Sequence, residues 1–223
     1  ALKALGNVFA NKKNWKKART YFQKCLAINP TSAECLSALG ASLRELGQLD
    51  EALSVLEKAI QLKPKFVIAH YNKGNVYRGL KQNFDAINSY KNALQLSPDF
   101  ANAMYNLAKA YEDVGDLTSS IKYFEKYTSI CPDQDNAWAQ ALYLKAVICD
   151  WGDNSVAASK ISSLGLKKDF VTPFRLLPLE DNPQNHKRRS EIYVALNYPE
   201  QTKFNSHEPG LASGKIKLGY LSA

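Results

Sequence analysis

No stretch of the 223-residue sequence approaches the roughly 18 apolar residues of a membrane span. Its opening, Ala1-Leu2-Lys3, has neither the basic nor the apolar region of a signal segment. Both absences argue against membrane partners and give a cytoplasmic expectation, with the nucleus open if the source is eukaryotic. Cysteine is scarce. Cys25, Cys35, Cys131 and Cys149 form no C-x-x-C pair and lie in apolar helical patterns. They are expected to be small core residues in a reducing compartment, not a disulfide or zinc framework. His70, His186 and His207 are scattered without an i, i+4 pair, so no metal site is expected. The composition, 45% hydrophobic and 22% charged, is that of a globular protein of one or two domains and excludes disorder and collagen.

Acidic residues are missing from the first thirty positions, where Lys3, Lys12, Lys13, Lys16, Lys17, Arg19 and Lys24 stand. Elsewhere 22 bases face 21 acids, so the formal charge of +8 is one local patch. Trp15 sits inside it, and basic plus aromatic residues can bind nucleic acid. However, Trp15 occupies a position where Leu49 and Leu117 recur, which reads as core, with the lysines a solvated face and no nucleic-acid partner.

What is abundant is repetition. Pro30, Pro64, Pro98 and Pro132 stand 34 residues apart, and a small residue precedes each by 24: Gly6, Gly40, Gly74 and Ala108. Between them recur Ala18, Ala52, Ala86 and Ser120, then Phe22, Leu56, Tyr90 and Phe124. Leu36, Leu39, Gly40 and Leu43 follow i, i+3, i+4, i+7, and Ala52, Leu56 and Ala59 follow i, i+4, i+7, so each unit holds two amphipathic helices. Neither helix buries its face alone; stacked units share a core. This pattern resembles the tetratricopeptide repeat, which implies a right-handed superhelix. The first unit lacks its opening residues, so its end face is expected to be apolar and prone to self-association.

After Pro132 the pattern continues through Ala137, Trp138, Ala141, Leu142, Lys145 and Ala146, with a second helix expected over 154–164. Pro173 and Pro178 make the apolar stretch around 170–179 a linker. Asp181-Asn182-Pro183 reads as a helix start, predicting a helix over 183–197. Lys215-Ile216-Lys217-Leu218-Gly219-Tyr220-Leu221-Ser222-Ala223 alternates and then turns apolar, as a strand entering a sheet does.

Ala137-Trp138, Cys149-Asp150-Trp151, the Pro-Phe-x-Leu-Leu segment and the terminal strand together resemble the O-linked N-acetylglucosamine transferase and SPINDLY group, glycosyltransferase family 41. The resemblance implies that repeats hand over to a two-lobed α/β catalytic region. The expected fold is therefore all-α, a tetratricopeptide-repeat solenoid, with a C-terminal linker and one strand of a truncated α/β domain. Its divisions are four repeats over 1–134, a degenerate capping hairpin over 135–165, a linker over 166–214, and the first strand of a catalytic domain over 215–223. The family's catalytic residues follow that strand. None falls within this chain, whose own cofactor complement is none; a parent enzyme would use a nucleotide sugar, UDP-N-acetylglucosamine.

Other constellations dissolve. Glu180 and Asp181 precede Pro183 and read as helix capping. The segment Gly210 to Lys215 is one residue short of a phosphate loop and precedes its strand. The run His186-Lys187-Arg188-Arg189 reads as the wet face of a helix. What remains is the inner groove. Asn72 and Asn106 lie two residues before their small residues, and Asn7 and Asn75 one residue after, on the first-helix face. An amide both donates and accepts, so it can pair with a peptide group whatever the side chain. The ladder is similar to the one that grips extended substrates in the family, although Ala4 and Ala38 interrupt it and Gln140 replaces it in the last unit. A co-chaperone-like clamp for acidic C-terminal tails is a rival that Lys3 and Asn7 would begin. It fails at Ala38, Glu34 and Ile68. The expected function is the protein-substrate recognition arm of a Ser/Thr glycosyltransferase; the alternative is a non-enzymatic adaptor binding proteins or peptides.

Overall fold

The computed structural model describes residues 1–150, 160–166 and 171–198. The array consists of paired helices: α1 (Leu2–Asn11) with α2 (Trp15–Ile28), α3 (Ala33–Glu45) with α4 (Leu49–Leu62), α5 (Val67–Gly79) with α6 (Asn83–Leu96), and α7 (Ala101–Asp113) with α8 (Leu117–Ile130). Then come α9 (Asp135–Val147), a 3-10 turn (Pro173–Arg175) and α10 (Pro183–Asn197). Among the described residues there is no strand. The terminal strand expected over 215–223, and most of the second helix of the capping hairpin, lie outside them.

The 34-residue period is written into the backbone. Every second helix of the first four units stops two residues before its proline, at Ile28, Leu62, Leu96 and Ile130. At the joint within each hairpin one residue takes the left-handed conformation: Lys13 (φ 55°), Gly47 (77°), Lys81 (63°), Gly115 (83°) and Cys149 (55°). Only two of these five are glycine. Cys149 keeps the register one unit beyond the fourth repeat.

Packing follows the same arithmetic. Ala18, Ala52, Ala86 and Ser120 are fully buried, as are Leu56, Tyr90 and Phe124, with Phe22 close behind. Each large side chain of this kind contributes about 1.5–3 kcal/mol by leaving water. The small residue opposite is a steric requirement. A Cβ on Gly40 would lie 2.6 Å from Leu56, and one on Gly74 2.6 Å from Tyr90. Each second helix packs against its own first helix and the first helix of the next unit, while first helices also touch along the array, α3 on α5 and α5 on α7. The first helices therefore line the inner side.

Residues 160–166 and 171–179 dock on the last unit, and α10 packs on them. Ala139, Leu142, Leu164, Val171 and Leu176 form one buried cluster. Asp135 Oδ2 accepts from the Gly165 amide at 2.9 Å, and Arg175 donates to Asn136 Oδ1 at 2.6 Å. Arg189 corrects the reading of its run as a wet face: it is 1% exposed. It donates to the carbonyls of Leu164 and Ile161, both at 2.7 Å, and pairs with Glu180. Glu180 is thus the arginine's acceptor, and Asn182 is the residue that caps α10, taking the amides of Gln184 and Asn185.

The cysteine expectation is corrected as well. Cys25 and Cys35 form a disulfide, with Cα atoms 6.6 Å apart, because the turn between units brings the end of α2 beside the start of α3. Cys149 is exposed, not core. At the other end, Leu5 and Val8 stand exposed on α1, and the lysines of the basic patch are solvated around a half-buried Trp15. No helix among the described residues is long and apolar enough to cross a membrane.

Candidate functional site

The inner face carries two adjoining cavities. The first, about 550 Å³, is lined by Arg44, Gly47, Leu49, Tyr71, Asn75, Arg78, Gly79 and Asn106. The second, about 250 Å³, shares Tyr71 and Asn106 with it and continues along Asn102, Tyr105, Tyr127 and Asn136. The shared pair makes them successive chambers of one groove.

Of the four asparagines expected to form the ladder, the structure brings two together. Asn106 Nδ2 donates to Asn75 Oδ1 at 2.8 Å and to the Tyr71 hydroxyl at 3.2 Å. Asn75 Oδ1 accepts a second bond, from the Tyr90 hydroxyl, also at 2.8 Å. Tyr90 is buried in the core, and burial, opposed in part by nearby Arg78, raises its hydroxyl well above the usual phenol range. It therefore stays a donor. Asn72 stands apart, its Nδ2 donating to Ser37 Oγ at 3.1 Å, and Asn7 is exposed on α1. Neither lines these two chambers.

The consequence is a defined polarity. Asn106 spends its amino group on protein partners and Asn75 spends its carbonyl. Among the described residues no donor is recorded at Asn106 Oδ1 and no acceptor at Asn75 Nδ2, and neither atom is buried. One acceptor and one donor are thereby left open on two residues that line the first chamber, which is the complement of one peptide group. Gln140 is no rung of this ladder: it is 4% exposed and donates to Glu112 at 2.8 Å.

The groove also contains residues that the ladder argument missed. Tyr71 and Tyr105, Arg44 and Arg78, and Asn102 and Asn136 are each 34 apart. Applying the period to polar positions, and not only to core positions, finds all three pairs. Among the described residues no cluster of histidine, cysteine, aspartate and glutamate suits a metal ion.

Comparison with known proteins agrees with this architecture. Family models described as TPR repeat match residues 40–81 and 74–115, and models described as Tetratricopeptide repeat match 1–32, 21–54 and 101–134. The peroxisomal targeting signal receptor of Saccharomyces cerevisiae is 38% identical over 68 residues, 30% of this chain and 11% of that protein. Cell division cycle protein 27 homolog B of Arabidopsis thaliana is 32% identical over 72 residues, 32% of this chain and 10% of that protein. The chain thus spans only about a tenth of the length of these relatives. Among solved structures, a MamA fragment from Desulfovibrio magneticus superposes with a TM-score of 0.61 at 23% identity, covering 73% of this chain and 90% of that one. YrrB, titled a TPR protein with an unusual peptide-binding site, superposes with a TM-score of 0.57 at 16% identity, covering 85% and 90%. At these identities the likeness is one of fold.

Proposed function

Residues 1–134 being tetratricopeptide repeats, we propose that the chain is a protein-interaction scaffold whose inner groove binds a segment of a partner protein in extended form. The observation that carries this is the Asn75–Asn106 pair. Tyr71 and Tyr90 hold it and leave one donor and one acceptor open beside a cavity of about 550 Å³. A scaffold that grips main chain takes many sequences, and its selectivity then comes from the walls around the backbone.

The test uses end-blocked eight-residue peptides of randomised sequence, titrated against the whole chain by fluorescence anisotropy. Asn106→Ala removes the acceptor and the support of Asn75 and is expected to weaken binding about fivefold to tenfold, in line with one or two lost hydrogen bonds. Its melting temperature should fall by only a few degrees, because Asn106 is half-buried at the groove wall. Unchanged affinity would end the groove reading.

A second reading keeps the glycosyltransferase. It rests on the resemblance of residues 137–223 and is favoured by the docking of 160–166 and 171–179 onto α9, which suits an arm that must orient a neighbouring region. Under it, the scaffold would present Ser/Thr segments of proteins to a catalytic region that uses a nucleotide sugar such as UDP-N-acetylglucosamine. In the complete parent protein, Asn106→Ala should then raise KM for a groove-binding acceptor peptide with kcat unchanged. Absence of sugar transfer by the parent protein would leave the adaptor alone.

A further inference from the structure

We propose that the first chamber selects an acidic side chain within the bound segment. This rests on the groove reading and adds to it the chemistry of the residue that the chamber takes.

The two chambers differ in charge. Arg44 and Arg78 line the first and no carboxylate does, whereas the second is lined by amides, tyrosines and an alanine with no charged residue. The arginines come from corresponding positions of α3 and α5, so stacking the units sets both guanidinium groups on one wall. Each has an acidic neighbour outside the chamber lining: Arg44 pairs with Glu45, and Arg78 Nε lies 3.3 Å from Asp113 Oδ2. These four side chains keep between 33% and 39% of their surface exposed. Such pairs are weak because water screens them, and a guanidinium has five donors to share. A carboxylate entering the chamber meets two cations at once, with Tyr71 and the asparagine pair beside it.

The groove is continuous beyond the first chamber. The first chamber opens into the second across Tyr71 and Asn106. A segment whose backbone is held at the asparagine pair runs on past Tyr105 toward Asn136; the acidic group is assigned to a side chain of that segment, and a terminal carboxylate is the outcome that would refute this. The second chamber, with polar uncharged walls, places no charge requirement on the residues that follow.

The experiment uses four pools of eight-residue peptides, acetylated and amidated, whose fourth position is fixed as Glu, Gln, Lys or Ala and whose other positions are randomised. Each is titrated against the whole chain by fluorescence anisotropy, with a fifth, Gln-fixed pool bearing a free C-terminus. The Glu pool is expected to bind about tenfold more tightly than the Gln pool, the scale of a charge-assisted hydrogen bond. In Arg44→Ala/Arg78→Ala that advantage, read as the ratio of the Glu to the Gln pool in the same variant, should drop below about twofold. Equal binding of Glu and Gln pools, both weakened by Asn106→Ala, overturns the acidic selection and leaves the groove reading standing. A Glu preference that survives loss of both arginines also overturns it, since the charge is then read elsewhere. Tighter binding of the free-carboxylate pool than of the Glu pool makes the occupant a chain terminus and refutes the side-chain assignment. If no pool binds, the groove reading falls and this inference falls with it.

Discussion

The repeats and the segment docked on their end are stabilised in different ways. In the repeats the same small-against-large contact recurs in every unit, Gly40 against Leu56 and Gly74 against Tyr90, and the cost of ordering each hairpin is met by its neighbours. In the docked segment each contact occurs once: the apolar cluster around Leu164 and Leu176, the Asp135 and Arg175 bonds, and one buried arginine. Arg189 joins α10 to the carbonyls of Ile161 and Leu164, and shares Glu180 with Asn185 of the same helix. Repeated contacts tolerate damage to one of them, whereas a buried charge that occurs once has no substitute.

The sharpest way to break this contrast is Arg189→Met, which keeps volume and removes every donor. The carbonyls of Ile161 and Leu164 would each lose a donor, and the Glu180 carboxylate, which keeps only 12% of its surface, would be left with Asn185. Breaking such a buried pair costs about 3–5 kcal/mol. Hydrogen exchange should show residues 160–198 losing protection while α3 to α8 keep theirs. If both regions lose protection together, the segment is part of the same cooperative unit and the contrast is wrong.

The repeat side is probed by Gly74→Ala. The new Cβ would sit 2.6 Å from the Tyr90 ring, which is fully buried and has nowhere to move without disturbing its bond to Asn75. Overpacking of this kind costs about 1–3 kcal/mol, read from urea unfolding. The fourth repeat shows how the array adapts, since Ala108 there packs in the same buried cluster as Phe124. Because Tyr90 also positions Asn75, the substitution should weaken peptide binding together with stability. A stable variant with unchanged binding would show that the close contact is not a constraint.

Why the two regions differ in legibility follows from the same physics. A period of 34 repeats each packing environment four times, so Phe22, Leu56, Tyr90 and Phe124 could be recognised as one position before any helix was placed. The tetratricopeptide-repeat solenoid was readable for that reason. Arg189 was not. Its burial depends on two carbonyls about 25 residues away at the end of another segment, and nothing in His186-Lys187-Arg188-Arg189 separates it from its neighbours. The Cys25–Cys35 pairing was hidden likewise, because only the stacking of one hairpin on the next brings the two together. In the groove, the pairing of Asn75 with Asn106 joins two different register positions of successive units. A ladder read at one register at a time sees both residues but not the bond between them.

The smallest effect tests what sets the period itself. Lys81 holds φ at 63° in the joint where Gly47 and Gly115 stand one unit away on either side. The left-handed conformation costs a residue with a Cβ about 1–2 kcal/mol, and glycine escapes it. Glycine also brings a more disordered unfolded chain, worth about 0.5–1 kcal/mol in the opposite direction. Lys81→Gly should therefore stabilise the array by no more than about 1 kcal/mol, a rise of roughly 2–4 °C in melting temperature. Its side chain is exposed, so no packing is lost. Gly47→Ala should do the reverse by a similar amount. If Lys81→Gly lowers the melting temperature, the joint is held by the side chain and not by the backbone. The shared φ of all five joints would then have a separate cause at each, instead of the single geometric demand of turning one helix back onto the next.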